Sequence, residues 1–416
     1  MGRFDAVIAH GRDDLDLTDP AVQPAVRGLA EELLTLVEDE DPTAATDLLR
    51  TLGRSTEVPI DVRIATKLAE SRRRLRAVGE IEVAVQFAMW GEHRRLRPRD
   101  QGNPLGEDAL GVKLDQLDWL LDGSTVRWRL VAIDDGCPDG SADVAEEMAA
   151  GHRMGDRVQV LRLADVVPAT DGPLSGLADV DDSRKGGAMV YGASVAVDGG
   201  ADAVVLTDAD VSVDLGQLGL LLGPFADGAG VVIGDRKQPD SVLRKAEARW
   251  GPGIVVLRHM QRMVGRALFS RGIADTQAAF KLYGAAALSE VLAAPSTFGF
   301  SFDSDWLYAA IGGGHEVATT PFAFVDSFEE SASITQGPMT TWESLLVGLT
   351  QSARARGADH DAGMAALVDE FGRAAVLEQV ITRVPEALAD VEPTNLGDPA
   401  VMSPAELGAW LRAVTS

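Results

Sequence analysis

The chain has little of what marks secreted, membrane-spanning or zinc-binding proteins. Its 416 residues include one cysteine, Cys137, so an internal disulfide is excluded and nothing favours an oxidising compartment. No apolar run approaches the length of a membrane span, and no charged-then-apolar signal pattern opens the chain. The six histidines lack metal-ligand spacing, and no Gly-x-x-x-x-Gly-Lys-Ser/Thr loop occurs. We therefore expect a cytoplasmic protein that is neither a zinc protein nor a P-loop kinase or ATPase.

Positive charge is also scarce. The chain has 38 Lys and Arg residues against 64 Asp and Glu residues, a formal net charge of −26. A surface of this sign repels nucleic acid and anionic lipid, so we expect no nucleic-acid partner and no general membrane association. The content of 46% hydrophobic and 25% charged residues is typical of soluble globular proteins.

Strand patterns alternate with helix patterns through the middle of the chain. Strands are predicted at 81–87, 127–133, 158–163, 203–207 and 230–234, and helices at 141–150, 185–197 and 215–225. This alternation predicts an α/β fold with a mostly parallel, doubly wound sheet over residues 79–337. Residues 1–78 and 338–416 have helical patterns and are interpreted as N- and C-terminal extensions, which could support a homo-oligomer.

Two acids one residue apart, Asp208 and Asp210, directly follow the buried strand predicted at 203–207. Such acids repel each other unless a cation lies between them, and ligands of open α/β sheets bind at the carboxyl ends of the strands. Mg²⁺ prefers one or two carboxylates together with phosphate oxygens. The pair therefore predicts either a metal–diphosphate site or a polar turn in which one acid caps the next helix.

Other polar residues also follow predicted strands or begin helices. Asp134 and Asp135 could accept hydrogen bonds from a ligand at the strand end, or could instead serve the helix that begins near Ser141. Lys185, followed by two glycines, suits a phosphate at a helix start, and the alternative is a solvated lysine. Arg236 follows Gly-Asp at a strand end and has the same two interpretations.

Six motifs in a fixed order carry a likeness to a known family. They lie at residues 128–141, 185–188, 204–210, 233–236, 275–283 and 300–307. The set resembles the family 2 glycosyltransferases of the GT-A fold, in particular the dolichyl- and polyprenyl-phosphate glucosyl- and mannosyltransferases, over roughly residues 80 to 335. Where that family carries a Pro-Ala-Tyr-Asn-Glu type sequence, residues 88–92 match well only at Ala88 and Glu92.

The resemblance implies a GT-A, Rossmann-like fold and an inverting transfer of sugar from a UDP- or GDP-linked donor. It implies Mg²⁺ or Mn²⁺ bound by Asp210, with Asp208 sharing the metal or holding the ribose. On the nucleotide-sugar side it implies Glu92, Asp134, Asp135, Lys185, Asp208 and Arg236. Asp134 and Asp135 occupy the place where the family binds the nucleobase, whose imide hydrogen a carboxylate would accept. On the acceptor side it implies Asp275, Gln277 and Lys281.

The candidate acceptor base lies where the resembling family carries Phe-Asp-x-Glu. Here the two acids are Asp303 and Asp305, and Asp305 is one methylene shorter than the family's glutamate. The choice between them stays open. A hydroxyl acceptor needs such a base, whereas a phosphate acceptor is already an anion.

Residues 236–271 hold nine Lys and Arg residues against two acids, a local reversal of the acidic balance. Arg258, Arg262 and Arg266 repeat every fourth residue and so share one face of an amphipathic helix. In the lipid-phosphate branch this region holds the helices that lie on the membrane. The alternatives are a face paired with the protein's own acids, or one turned to an anionic ligand in the cleft.

These observations predict a glycosyltransferase with a soluble small-molecule acceptor, a hydroxyl or thiol, of the kind found in natural product biosynthesis. A polyprenyl-phosphate glycosyltransferase acting peripherally at the membrane is the first alternative. A non-catalytic nucleotide-sugar-binding protein is an alternative of another class, which retention of both Asp208 and Asp210 disfavours. The long connection at 164–184, rich in Asp, Gly and Pro, is expected to be either disordered or a lid.

Overall fold

The computed structural model describes residues 2–16, 18–244, 251–326 and 337–416. The strands in these ranges are β1 (Ile81–Met89), β2 (Val126–Asp134), β3 (Val158–Arg162), β4 (Ala203–Leu206), β5 (Val231–Gly234), β6 (Val242–Arg244), β7 (Lys281–Gly284), β8 (Val317–Thr320) and β9 (Ala323–Val325). The five strands predicted from the sequence are present with closely similar bounds.

Seven strands form one mixed sheet in the order β3-β2-β1-β4-β7-β5-β8. Strand β7 is antiparallel to both of its neighbours, and the other pairs are parallel. The predicted α/β class with a mostly parallel sheet is therefore confirmed. The sequence did not predict β7, because four residues beginning with a lysine give no strand signal. Strands β6 and β9 pair separately as a two-stranded parallel sheet.

The helices lie between and around the strands. They are α1 (Asp5–His10), α2 (Val22–Leu36), α3 (Pro42–Arg54), α4 (Ile60–Leu75), α5 (Ala109–Leu121), α6 (Ser141–Gly151), α7 (Gly186–Asp198), α8 (Gly219–Ala226), α9 (Ile254–Val264), α10 (Arg266–Phe269), α11 (Ala285–Ala293), α12 (Phe302–Gly312), α13 (Pro338–Ala355), α14 (Ala362–Phe371), α15 (Ala374–Val380), α16 (Glu386–Ala389) and α17 (Pro404–Thr415). The helix predicted at 215–225 is divided into a 3-10 turn, Leu215–Gln217, followed by α8.

Both faces of the central sheet are buried. Along β1, Ala84 packs with the cluster that includes α7, while Val83 and Val85 pack with the cluster that includes α5 and α8. This alternation follows from the period of two in a strand. Parallel strands covered on both faces need nearly continuous apolar sequence, which is why these strands are visible in the sequence.

The N-terminal helices form a third apolar cluster, in which Leu33, Leu49 and Leu68 are fully buried. That cluster also contains Val211 and Val242, so helices α2 to α4 cover the loop that follows β4. Helix α4 packs in addition against α8. The predicted N-terminal extension is therefore continuous with the α/β region around the paired acids.

The C-terminal helices cover the apolar face of α9. Leu257, Met260 and Met263 are fully buried in the same cluster as residues of α13 and α14. His259 is also buried, and its Nε2 lies 2.9 Å from the backbone oxygen of Met402. In the ranges that the structure describes, no helix is both long and apolar enough to cross a bilayer.

The long connection at 164–184 is anchored by apolar side chains. It contains a short 3-10 turn, Val180–Asp182, and its Leu174 and Leu177 are buried in the cluster that includes α7. The segment thus has fixed contacts on the α7 side of the sheet.

We predict that Leu349→Ala lowers the free energy of unfolding by about 2–5 kcal/mol, because a cavity replaces a core side chain. Leu349 lies in α13 and is 1% exposed in the cluster shared with α9 and α12. Urea denaturation followed by tryptophan fluorescence should show one transition at lower urea. Leu105→Ala, at a leucine that is 37% exposed, is the control. A separate C-terminal transition, with the rest of the protein unfolding as in the wild type, would support independent domains.

Candidate functional site

The polar residues predicted from strand ends meet at one edge of the sheet. Strands β2, β1 and β4 are parallel neighbours, so their carboxyl ends lie side by side. Asp134 ends β2, Glu92 follows β1, and Asp208 and Asp210 follow β4. The structure thus brings together residues that are far apart in the sequence.

Lys185 links the loop before α7 to Asp208. Its ammonium donates a hydrogen bond to Oδ1 of Asp208, and its backbone N–H donates to Oδ2 of Asp135 at 2.6 Å. Lys185 has a φ of +74°, which a non-glycine residue adopts only when its surroundings impose it. Burial alone would raise the pKa of Asp208, but the ammonium of Lys185 outweighs burial and holds that pKa below its usual value.

The glycines after Lys185 allow a close approach of backbone. A Cβ at Gly186 would lie 2.6 Å from the carbonyl oxygen of Phe298. The Gly187 N–H donates to that same oxygen at 3.3 Å and to Oγ of Ser183 at 3.1 Å. The amides of Lys185 and Gly187 each have one hydrogen, which is bound to protein oxygens. The Lys185 ammonium has further donor hydrogens besides the one bound to Asp208, so it is the group here that is suited to a phosphate.

Both acids at the end of β2 support loops. Oδ1 of Asp134 accepts from the N–H groups of Gly136 and Cys137, at 3.0 and 2.9 Å. Asp135 accepts from the Ser183 hydroxyl as well as from the Lys185 amide. Burial raises the pKa of both carboxyl groups, and these hydrogen bonds oppose the rise. The predicted contact with a nucleobase stays a prediction.

Asp210 lies beside a buried layer of charged residues, of which Arg95, Glu107 and Lys113 were not predicted from the sequence. Its Oδ1 accepts from the Ser212 N–H at 3.0 Å, and its backbone oxygen accepts from the ammonium of Lys113. Burial raises the pKa of Asp210, and the nearby charge of Asp208 raises it further. The carboxyl group of Asp210 therefore lies in surroundings that disfavour its ionised form.

The rest of this layer comes from a polar insertion, residues 90–108, between β1 and α5. Arg95 pairs with Glu92, and its Nε lies 3.4 Å from Oε1 of Glu107. Oε2 of Glu107 accepts from the Val211 N–H at 3.3 Å. Burial raises the pKa of Glu92 to about 7, although Arg95 opposes the rise, and the charge of Asp210 contributes to it. The many charged residues of the insertion were the only sequence feature that could have indicated this layer. Their spacing has no helix or strand period, so Arg95 and Glu107 were not predicted.

These residues fit a divalent cation. The site has four carboxyl groups (Glu92, Glu107, Asp208 and Asp210) beside three cations (Arg95, Lys113 and Lys185). The group has one negative charge in excess when all four acids are ionised and none while Glu92, whose pKa is about 7, keeps its proton. Within the described ranges, no group of three or more His, Cys, Asp or Glu could hold a metal by itself. Two acids that leave coordination positions for phosphate oxygens suit Mg²⁺, because Mg²⁺ is usually held in that way.

The residues predicted on the acceptor side form two buried ion pairs. Arg236 binds Asp275 through Nε and Nη2, both at 2.7 Å, and Nζ of Lys281 lies 2.6 Å from Oδ1 of Asp303. The side-chain amide nitrogen and oxygen of Gln277 are buried without a hydrogen-bond partner in the described part of the chain. Arg236 and Asp275 thus join the donor-side and acceptor-side segments.

Asp303 and Asp305 have different surroundings. Asp303 is 8% exposed and lies close enough to Lys185 to favour the charged ammonium. Asp305 is fully buried, and its oxygens accept from Nε and Nη2 of Arg356, at 2.7 and 2.9 Å, and from the N–H and hydroxyl of Ser296. Residues two apart on a helix do not share a face, which explains the separation.

The prediction that Arg258, Arg262 and Arg266 share one helix was wrong, because α9 ends at Val264 and, after Gly265, Arg266 begins α10. Arg262 and Arg266 have contacts within the protein. Nη2 of Arg266 lies 3.0 Å from Oδ2 of Asp361, and the guanidinium of Arg262 lies 5.5 Å from the centre of the Phe269 ring. Arg258 is exposed. Lys245, Arg249 and Trp250, which belong to the same basic interval, lie outside the described residues.

Two solved structures show a likeness to this chain. The mannosyl-3-phosphoglycerate synthase of Rubrobacter xylanophilus is 16% identical with a TM-score of 0.46, covering 70% of this chain and 80% of that one. The glucosyl-3-phosphoglycerate synthase of Mycobacterium tuberculosis, in complex with Mn²⁺, UDP and glucosyl-3-phosphoglycerate, is 14% identical with a TM-score of 0.44, covering 71% and 86%.

The chain is also similar in sequence to a curated protein. No protein-family model matches the chain. A polyprenol monophosphomannose synthase of Mycolicibacterium smegmatis is 28% identical over 198 residues, which are 47% of this chain and 66% of the relative. The chain therefore spans slightly less than two thirds of that relative's length. The resemblance predicted from the sequence, to the polyprenyl-phosphate branch of the family 2 glycosyltransferases, is confirmed by this similarity.

Proposed function

We propose that the chain is a metal-dependent glycosyltransferase that moves a sugar from a nucleotide diphosphate sugar to a small-molecule acceptor. The observation that carries this proposal is the pair Asp208 and Asp210, which follow β4 at the carboxyl edge of the sheet, where Glu92 and Asp134 also lie. The sequence similarity to a mannose synthase supports the class of reaction.

In this proposal, Asp210 and Asp208 hold Mg²⁺ or Mn²⁺. The ion would supply Lewis acidity that neutralises charge on the departing diphosphate. Lys185, already bound to Asp208, adds a positive charge to the same region. Glu92, Asp134 and Asp135 shape the donor side of the cleft, and the Arg236–Asp275 pair holds its other wall.

The acceptor would be deprotonated by Asp303. This acid is 8% exposed, lies near Lys185 and is paired with Lys281, whereas Asp305 is fully buried and enclosed by Arg356 and Ser296. A hydroxyl or thiol acceptor would give its proton to Asp303 as its oxygen or sulfur attacks the sugar and the diphosphate leaves. A single displacement of this kind inverts the configuration at the sugar carbon. Asp305 then has the role of holding α12 in place.

A soluble acceptor is supported by the burial of α9. The apolar side chains that a membrane-lying helix would insert into lipid, Leu257, Met260 and Met263, are covered by the C-terminal helices. The alternative, a polyprenyl phosphate acceptor at the membrane surface, is favoured by the name of the sequence relative.

We predict that Asp210→Asn abolishes Mn²⁺-dependent binding of UDP and GDP and the transfer or hydrolysis of a panel of their sugars. The amide removes a ligand charge. It should also raise the melting temperature slightly, because the surroundings of Asp210 raise its pKa and so disfavour the ionised form. Calorimetry with and without Mn²⁺ and thermal denaturation measure the two effects.

Asp227→Asn, at an exposed acid after α8, is the matched control and should change neither nucleotide binding nor turnover. Unchanged Mn²⁺-dependent affinity in Asp210→Asn would overturn the metal role. Tight Mn²⁺-dependent binding by the wild type, without hydrolysis or transfer of any donor, would favour the non-catalytic nucleotide-sugar binder.

The pKa of Glu92 predicts a pH dependence of stability. Because its folded-state pKa of about 7 exceeds the usual 4.5, the folded protein retains a proton that the unfolded chain releases. The contribution of Glu92 to stability is therefore fully present below about pH 4.5 and declines as pH rises to about 7. Glu92→Gln should remove about 1–3 kcal/mol of this decline.

Urea unfolding at pH 5, 6, 7 and 8 measures this difference between wild type and Glu92→Gln. Glu57→Gln, at an exposed glutamate, serves as the control and should follow the wild-type curve. Parallel pH curves for the wild type and Glu92→Gln would show that Glu92 is ionised throughout this range.

For the acceptor, we predict no salt-sensitive co-sedimentation with phosphatidylserine vesicles. The apolar face of α9 is buried, and the net charge of −26 repels an anionic surface. Neutral vesicles provide the baseline. Strong binding at low salt that Arg258→Glu reduces would instead favour the polyprenyl-phosphate acceptor.

A further inference from the structure

We infer that Lys113 is a positioning residue, whose ammonium fixes the loop after β4 so that the Asp210 carboxylate faces the divalent cation. This inference rests on the proposed metal-dependent transfer. Lys113 lies in α5, whereas Asp210 follows β4, so the contact joins two elements that are distant in the sequence. The sequence motifs that carry the family resemblance do not include Lys113.

The ammonium of Lys113 is completely enclosed. Lys113 is 0% exposed. Its ammonium donates a hydrogen bond to the backbone oxygen of Asp210 and lies 5.6 Å from the centre of the Phe87 ring. Burying an ammonium is costly, and an apolar side chain of similar volume often fills such a position with no loss of stability. A lysine here is therefore better explained by the carbonyl group that it holds than by packing.

Further contacts hold the loop on either side of this carbonyl group. The Ser212 N–H donates to Oδ1 of Asp210 at 3.0 Å, and the Val211 N–H donates to Glu107 at 3.3 Å. The Val211 side chain is buried in the cluster formed by the N-terminal helices. With the Lys113 contact, these interactions fix the backbone and the carboxylate of Asp210 relative to each other.

Positioning and simple electrostatics predict opposite effects for Lys113. As a nearby positive charge, its ammonium repels a cation, so removing it would strengthen Mn²⁺ binding. As the group that holds the loop, it aims a ligand carboxylate, and loss of such outer contacts typically weakens metal affinity about 10–100-fold. The sign of the change in affinity therefore distinguishes the two roles.

The test is calorimetric titration of Mn²⁺ into the full-length protein with saturating UDP and, separately, with GDP. Lys113→Met should weaken Mn²⁺ binding about tenfold or more. Lys113→Arg keeps the charge but carries a larger head group, which should displace the loop and weaken binding several-fold. All titrations are made well below the lowest melting temperature among the variants.

Lys67→Met is the matched control. Lys67 is another buried lysine, 1% exposed in α4, with its Nζ 3.6 Å from Oε2 of Glu70. Its replacement should change the melting temperature and leave Mn²⁺ affinity at the wild-type value. A loss of affinity in Lys67→Met equal to that in Lys113→Met would mean that general destabilisation explains both, and would overturn the inference.

Unchanged or tighter Mn²⁺ binding in Lys113→Met overturns the positioning role. If Lys113→Met does not fold, Lys113→Arg decides, because a purely electrostatic role predicts wild-type affinity for it. A wild-type protein that binds no Mn²⁺ with either nucleotide would overturn the proposed function together with this inference. Normal binding by the wild type and by both Lys113 variants would overturn the inference alone.

Discussion

The negative charge at the carboxyl end of β4 is the constraint on which the site depends. Asp208 and Asp210 lie one residue apart in half-buried positions, where each raises the free energy of the other's ionised form. Cations from three separate segments meet this charge: Arg95 from the insertion, Lys113 from α5 and Lys185 before α7. The charge of Asp208 still raises the pKa of Asp210, so a divalent cation between the two acids would favour their ionised forms.

The helical extensions contribute to this arrangement through packing. The N-terminal helices share an apolar cluster with Val211 and so support the loop that carries the paired acids. The C-terminal helices share the core of α9 and α12, and Arg356 at the end of α13 holds Asp305. Burial of Met260 and Met263 also means that the amphipathic pattern of α9 serves the protein's own core. A basic amphipathic pattern alone does not distinguish this case from a membrane-lying helix.

The regular strands were the most predictable part of the fold. Apolar, β-branched runs such as Ala203–Leu206 gave nearly the observed bounds, because strands covered on both faces must be apolar along their length. The antiparallel β7 was missed because its position between β4 and β5 depends on pairing with those strands, not on its own four residues. The helix predicted at 215–225 was divided at Leu218, where the close packing of Gly219 against Ser71 comes from another segment of the chain.

By itself, the sequence determined the class of fold and which acids follow the strands, because hydrophobic periodicity and chain order are local properties. Since carboxyl ends of parallel strands meet at one edge, that order was enough to expect Glu92, Asp134 and Asp210 near one another. Only the tertiary structure decided which carboxylates are paired and with what. The contacts of the Lys113 ammonium with the backbone oxygen of Asp210 and of Arg356 with the Asp305 carboxylate join distant segments, and such contacts leave no periodic signal in the sequence.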